Sequence, residues 1–290
     1  MKPRILEVLF KIYGTKISIE SFSHCSGGSI NEVQILGLSN QEKILLKFNS
    51  SPPQDFFRRE AQGLEILSSV EAGPRVPKVL GLDHGKNPKF ILLEYLEQTQ
   101  TNYFPIFGRR LAAIHNVSNT FFGLDHNNFI GKTPQINSKE SNGIIFFRDH
   151  RIGFQQRLAR TNKFLPTELD HKIDRLKKKL DDWFFLENEK PALLHGDLWS
   201  GNYFGGPNGE PCLFDPAIYF GFREADLAMM ELFGTPPKSF FDSYVEASPL
   251  NPGYEERRDL FNLYHLLNHL NLFGNSYLKS IKEIINFYSS

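Results

Sequence analysis

In its first third the chain alternates apolar and polar residues over short runs, interrupted by two stretches of helical spacing. Residues 4–13 (RILEVLFKIY) space their apolar side chains as one face of a short amphipathic helix. Strand patterns follow near 17–22, 29–38 and 42–48, the last two joined by a Gly-Leu-Ser-Asn turn. In KILLKF, Ile44, Leu46 and Phe48 share one face of a strand, and Leu45 and Lys47 the other. After a Ser-Ser-Pro-Pro break, Phe57, Ala61, Leu64 and Leu67 recur at helical spacing, and another strand pair is predicted near 79–83 and 90–95.

Beyond Gln98 the pattern changes. FGRRLAAIHNV reads as helix, and residues 121–145, rich in Asn, Gly and Pro, read as ordered loop. Longer helices are predicted at 147–163 and 167–185, and the chain from Arg223 onward is again mostly helical. The expected class is α+β in two lobes. Residues 1–97 form an antiparallel sheet with one helix, residues 98–290 a mainly helical lobe, and a cleft lies between them.

Composition excludes several classes. Hydrophobic residues are 40% of the 290 and charged residues 23%, the range of a globular chain able to bury a substantial core. With 33 basic and 33 acidic residues there is no global field favouring nucleic acid or an anionic membrane. No apolar run approaches the length of a membrane span, and Glu7 and Lys11 interrupt the N-terminal segment in a way a signal peptide does not. Cys25 and Cys212 stand far apart without a CxxC or Cys/His pattern, so two reduced thiols and a cytoplasmic location are expected. The 27 phenylalanines point to an aromatic-rich core.

The candidate chemistry is concentrated in His195-Gly-Asp-Leu-Trp-Ser-Gly-Asn202 and in Asp215-Pro-Ala217. An Asp, an Asn five residues on and a second Asp after a short hairpin can surround a metal-bound triphosphate. Asp197 can accept the proton of an attacking hydroxyl, and Asn202 and Asp215 supply the hard oxygens that Mg²⁺ prefers. The spacing predicts a phosphotransferase using ATP and Mg²⁺.

Other parts stand in a compatible order. Ser26-Gly27-Gly28-Ser29 lies between two predicted strands, either as an ordinary turn or as a loop whose backbone N–H groups approach phosphate. Lys47, on a strand, would need a carboxylate if buried at the α- and β-phosphates; Glu60 is the natural partner, although Arg58 and Arg59 compete for it locally. Glu94-Tyr95-Leu96 is either a plain strand end or the connector whose backbone binds an adenine edge. Asp226, in EADLAMM, either caps its own helix or braces the Asp197 loop. His265 and His269 are spaced i, i+4 on a predicted helix, but HLLNH lacks the glutamate of HExxH and no third zinc ligand is evident, so packing is expected of His265.

Glycine turn, strand Lys, helix Glu, connector, HxDxxxxN and Asp together resemble the protein-kinase-like superfamily. HGD in place of HRD, DPA in place of DFG and the lack of an Ala-Pro-Glu segment are typical of its small-molecule kinases. Within these the chain resembles the fructosamine kinase family through GGSIN (27–31), FIGKTPQIN (129–137), HGDLWSGN (195–202), FDPAIYFGFREADLAMMELFG (214–234) and GYEERRDLFNLYHLLNHLNLFG (253–274). Ser29 departs from relatives that carry Cys in the loop, which argues against thiol control there.

The resemblance implies a two-lobed kinase-like fold with Asp197 as base, Asn202 and Asp215 as Mg²⁺ ligands, and Lys47 with Glu60 on the α- and β-phosphates. Gly27, Gly28, Ser29, Glu94 and Leu96 join the nucleotide site, and His195 is structural. On the acceptor side Trp199, Tyr219 and His269 are expected, with Phe220, Asn268 and Asn271 as further candidates. The implied activity is phosphorylation of the C3 hydroxyl of ketosamines, small or carried on glycated protein lysines, by a monomer or dimer that binds neither nucleic acid nor membrane. An aminoglycoside- or choline-type kinase is the alternative and requires an acidic acceptor pocket, whereas little negative charge follows Asp215 until Glu224. A pseudokinase-like binding module is expected to lack one of Lys47, Asp197, Asn202 or Asp215, and all four are present.

Overall fold

The computed structural model describes residues 2–24, 30–99, 102–184 and 189–289. Gly27, Gly28 and Ser29 therefore lie outside the described residues. The amphipathic N-terminal segment is helix α1, Lys2–Tyr13, and it covers one face of a five-stranded antiparallel sheet. The strands are β1 (Ile19–His24), β2 (Glu32–Leu38), β3 (Lys43–Phe48), β4 (Val79–Leu82) and β5 (Phe90–Glu94), in spatial order β1-β2-β3-β5-β4. Period-two alternation sorts the side chains of β3. Ile44 and Leu46 join Leu36, Phe90 and Leu92 beneath Ile5, Val8 and Leu9 of α1, while Leu45 and Lys47 face the other way.

That other face packs on helix α2, Phe56–Ser68, which connects β3 to β4. Phe57, Ala61, Leu64 and Leu67 of α2 share a core with Ile91 and Leu93 of the sheet. The same core continues into Leu198, Leu213, Ile218 and Leu227, so α2 is packed from both sides.

The rest of the chain is mainly helical: α3 (Phe104–His115), α4 (Gly143–Phe146), α5 (Gly153–Thr161), α6 (Thr167–Lys178), α7 (Glu224–Leu232), α8 (Lys238–Ala247), α9 (Tyr254–Phe273) and α10 (Leu278–Tyr288). Three short antiparallel pairs sit among them: β6 (Asn128–Ile130) with β7 (Thr133–Gln135), β9 (Tyr203–Gly205) with β10 (Pro211–Leu213), and β11 (Tyr219–Gly221) with β8 (Ala192–Leu194). Phe122, Phe146, Phe147, Phe184, Phe222 and Phe261 meet in one buried cluster, where the phenylalanine excess is spent. No helix among the described residues is long and apolar enough to cross a membrane.

Two expectations change. Residues 121–145 are not only loop: they hold the β6–β7 hairpin and α4, whose elements of three or four residues are too short to show a period. The helix expected at 147–163 begins as a π-helical segment, Phe147–Ile152, before α5, and the one expected to reach residue 185 ends at Lys178.

Candidate active site

The predicted base and metal ligands come from the two loops flanking β9 and β10. Lys47 reaches across from β3: its Nζ lies 2.8 Å from Glu60 Oε1 on α2 and 2.6 Å from Asp215 Oδ1. Arg58 and Arg59 do not compete for Glu60, since Arg58 pairs with Asp55 and Arg59 donates to Gln62. Lys47 is 5% exposed. Burial pushes its ammonium down, but the Asp215 and Glu60 charges outweigh this and hold it well above its usual value. Burial pushes the Glu60 carboxyl up while Lys47 pulls it back. With two carboxylates on one ammonium, the cluster is ionic.

Asp197 is a third carboxylate of the cleft, beside Glu60 and Asp215. Asn202 Nδ2 donates to its backbone carbonyl at 2.7 Å and to its Oδ2 at 3.3 Å. Burial first, then the like charge of Asp215, raise the Asp197 carboxyl to about 7. Because the Asn202 amide nitrogen is held by Asp197, its Oδ1 is left as an acceptor; Asp215 likewise uses one oxygen on Lys47 and keeps the other. Two hard oxygens remain for one divalent cation. That donor set fits Mg²⁺, which takes one or two carboxylate or carbonyl oxygens and fills its shell with phosphates and water.

The loop that carries Asp197 is rigidly braced. Gly196 has φ +83°, and a Cβ there would sit 2.1 Å from the Ala217 carbonyl oxygen, which explains Gly in this HGD. The His195 ring is buried; its Nε2–H donates to the Phe214 carbonyl at 3.0 Å and its Nδ1 accepts from the Asp197 N–H at 3.3 Å. Those partners define a neutral tautomer, and burial lowers the imidazole further from protonation. Asp226 accepts the backbone N–H groups of His195 (2.7 Å) and Gly196 (2.9 Å). It braces the loop and does not cap α7. His115 and, behind it, Tyr244 hold Asp226 in turn.

The family model described as fructosamine kinase matches residues 1–289. The chain belongs to the fructosamine kinase family. It is 36% identical over 284 residues to a probable ketoamine kinase of Synechocystis sp., covering 97% of this chain and 94% of that one. It is 38% identical over 281 residues to the chloroplastic protein-ribulosamine 3-kinase of Oryza sativa subsp. japonica, covering 95% of this chain and 80% of that one. A crystal structure of a candidate fructosamine-3-kinase from Haemophilus somnus superposes with a TM-score of 0.88 at 28% identity, over 99% of this chain and 97% of that one.

In this member of the family a slot of about 310 Å³ opens beside the Lys47 cluster, lined by Val33, Ile35, Leu45, Leu96, Phe204 and Phe214. Its size and apolar walls suit a flat heterocycle. Glu94 stands at its edge: its N–H donates to the Lys78 carbonyl at 2.9 Å, and its side chain takes Arg75 at 2.6 Å and the Lys78 N–H at 3.2 Å. Its N–H and carboxylate are spent on structure. Leu96, just past the strand end, is placed in the slot wall.

On the opposite side a second cavity joins Asp197, Asn202 and Asp215 to Trp199, Asn268, His269, Leu272 and Phe273. Trp199 is 36% exposed. His269 sits among Phe233, Phe273 and Tyr277 with ring centroids 4.8, 5.5 and 5.0 Å away. Its Nδ1–H donates to the His265 carbonyl, leaving Nε2 as an acceptor. Tyr219 is not brought here. It is 2% exposed, with the Arg151 guanidinium 3.9 Å from its ring centroid, and belongs to the core. Asn271 is tied to Gln155 and Asn162, away from the cavity. His265 is 1% exposed, and burial lowers its imidazole to about 3.

Sequence reasoning missed a further group around Asp197 and Asp215: Asn31, Phe56, Arg59, Asn128, Phe129 and Gly131. Phe129 and Gly131 belong to FIGKTPQIN, and Asn128 is the residue just before it.

Proposed function

We propose that this protein is an ATP-dependent ketosamine kinase, transferring the γ-phosphoryl group of ATP to the C3 hydroxyl of a sugar carried on an amine. The observation that carries the reading is the convergence of Lys47, Asp197, Asn202 and Asp215 on one cleft in a chain that belongs to the fructosamine kinase family throughout its length. The name of the rice relative, protein-ribulosamine 3-kinase, supports ketosamine as the acceptor class and C3 as the position.

In this reading Lys47, fixed by Glu60, holds the α- and β-phosphates, and Asn202 Oδ1 with the free oxygen of Asp215 would hold Mg²⁺. The cation, when bound, supplies neutralisation of phosphate charge. Asp197 accepts the proton of the acceptor hydroxyl as that oxygen bonds to the γ-phosphorus and the bond to the ADP oxygen breaks. Positioning supplies most of the acceleration, since phosphoryl transfer needs little covalent work from the protein. The 3-phosphate stands next to the C2 carbonyl, so enolisation towards C1 expels phosphate, and water then hydrolyses the resulting imine to a dicarbonyl and the free amine, which amounts to deglycation. We assign the protein to the cytoplasm, where ATP is available. Small ketosamines and glycated lysines are both within the acceptor class.

The aminoglycoside- or choline-type alternative is not favoured. Among the described residues the carboxylates lining the second cavity are Asp197 and Asp215, with Lys47 beside them, and the other side chains there are aromatic, aliphatic or amide. An ATP-consumption assay with synthetic fructosyl- and ribulosyl-lysine, with kanamycin and choline as controls, tests the assignment. Turnover on the ketosamines with a phosphorus-coupled signal at C3 is expected. Phosphorylation of kanamycin or choline alone would overturn it.

A further inference from the structure

The hairpin formed by β6 and β7 is joined to the segment after Asp215 by a buried network of amides. Asn128 Nδ2 donates to the Ile218 carbonyl at 2.8 Å, and Gln135 Nε2 donates to the Ala217 carbonyl at 2.8 Å. Gln135 Nε2 also donates to Asn128 Oδ1 (2.8 Å), and Asn137 Nδ2 donates to the same oxygen (2.8 Å). The orientation of each amide is set from outside. Tyr264 on α9 donates its hydroxyl to Gln135 Oε1 at 2.7 Å, and Arg151 Nη2 donates to Asn137 Oδ1 at 2.8 Å. Asn128, Gln135, Asn137 and Arg151 are 4%, 2%, 1% and 0% exposed, so water does not compete for these bonds.

The network ends on two consecutive carbonyls, those of the second and third residues after Asp215. On its other side the same segment is bound to the loop of the base: the Ala217 N–H donates to the His195 carbonyl at 2.9 Å, and the Ala217 oxygen is the atom Gly196 makes room for. Asp215 itself has φ +57°, the left-handed region. A non-glycine residue keeps that conformation where its surroundings over-determine it. Here the residues that follow it are clamped between the hairpin and the His195 loop.

We propose that Asn128 and Gln135 are positioning residues that set the backbone after Asp215, and so aim the Asp215 carboxylate at Lys47 and at the cation site shared with Asn202. Arg151, a buried guanidinium held by Asn137, the Ile136 carbonyl and the rings of Phe146 and Tyr219, anchors the far end of the network. The proposal rests on the phosphotransfer reading of Asp215. The turn of the same hairpin, Gly131, lines the second cavity beside Asn268 and His269 as well as the group around Phe56 and Phe129, so a change in the hairpin could alternatively act on acceptor binding. The measurements must separate the two.

The informative variants are Gln135→Met, which keeps volume and removes the donors, and Tyr264→Phe, which removes only the hydroxyl orienting Gln135. Calorimetric titration with ADP, with and without Mg²⁺, reads the cation site without any acceptor. For Gln135→Met the gain in ADP affinity conferred by Mg²⁺ should shrink about tenfold and kcat should fall at least tenfold. Metal-free ADP affinity and acceptor KM should stay within about twofold. Tyr264→Phe should show the same pattern more weakly and serves if Gln135→Met does not fold. A folded variant whose kcat and Mg²⁺-dependent gain stay within twofold of the unaltered protein would overturn the proposal, as would a loss confined to acceptor KM. If the unaltered protein gains no ADP affinity from Mg²⁺, the reading of Asp215 falls and this inference with it.

Discussion

The two sides of the cleft bury titratable groups in opposite ways. On the Lys47 side burial is combined with charge: Lys47 and Glu60 are buried, the half-exposed Asp215 packs onto them, and each charge is answered by another at 2.6 or 2.8 Å. On the α9 side burial is combined with neutrality. His265 and His269 have their imidazoles lowered by desolvation; the Tyr264 ring packs on His265 and the Tyr277 ring on His269. A buried charge persists only where a partner and hydrogen bonds compensate its lost hydration. Under the proposed assignment the Lys47 side presents charge to a polyanion and the α9 side holds a sugar and an amine-bearing tail, which apolar surface and a few acceptors can do.

The contrast can be broken most severely at Asp197. Asp197→Asn should cut kcat about 10³-fold, the scale of a lost general base, while ATP affinity stays near its original value. Steady-state kinetics with a ketosamine acceptor decides this, and near-normal turnover would remove Asp197 from its role. Lys47→Met should expose the cost of the charged side. It leaves Glu60 and Asp215 without their shared cation, so urea unfolding should show a loss of about 3–5 kcal/mol together with weakened nucleotide binding. Unchanged stability would mean that the ionic cluster contributes no net energy.

The neutral side has a pH signature. His265 titrates near 6.5 when unfolded and at about 3 when folded, so the unfolded chain binds the extra proton. Its contribution is fully present above pH 6.5 and is lost as pH falls toward 3, at about 1.4 kcal/mol per pH unit once well below 6.5. The stability of His265→Leu relative to the unaltered protein should therefore rise as pH drops from 6.5 to 4.5. A pH-independent difference between the two would contradict a neutral, buried His265. The smallest effect is expected at Trp199, which lines the cavity but is 36% exposed. Trp199→Ala should raise acceptor KM roughly fivefold, about 1 kcal/mol of stacking, with the melting temperature and ATP KM nearly unchanged. A change in ATP KM instead would move Trp199 to the nucleotide side.

Local pattern made the sheet, α2 and the Lys47–Glu60 pair legible because alternation on β3 and helical spacing on α2 are properties of neighbouring residues. The hairpin at 128–135 was not legible. Its strands are three residues long and contain Pro134, so no period identifies them. Tyr219 shows the converse error. It is close to Asp215 in sequence, yet the alternation of β11 turns it under Arg151 and away from the cleft. Glu94 was legible as the strand end, but that its N–H and carboxylate are committed to Lys78 and Arg75 was not, because those partners lie sixteen to nineteen residues upstream.

The sequence by itself determined the chemistry: which carboxylates, amide and ammonium are present, their order, and the spacing of five residues from Asp197 to Asn202. These follow from side-chain identity and short-range geometry. Only the tertiary structure decided which of those groups are buried against one another, which histidine faces a cavity, and that a motif about eighty residues upstream closes on the carbonyls beyond Asp215. The reason is that desolvation and hydrogen-bond partnership are set by segments distant in the chain, and no local pattern records them.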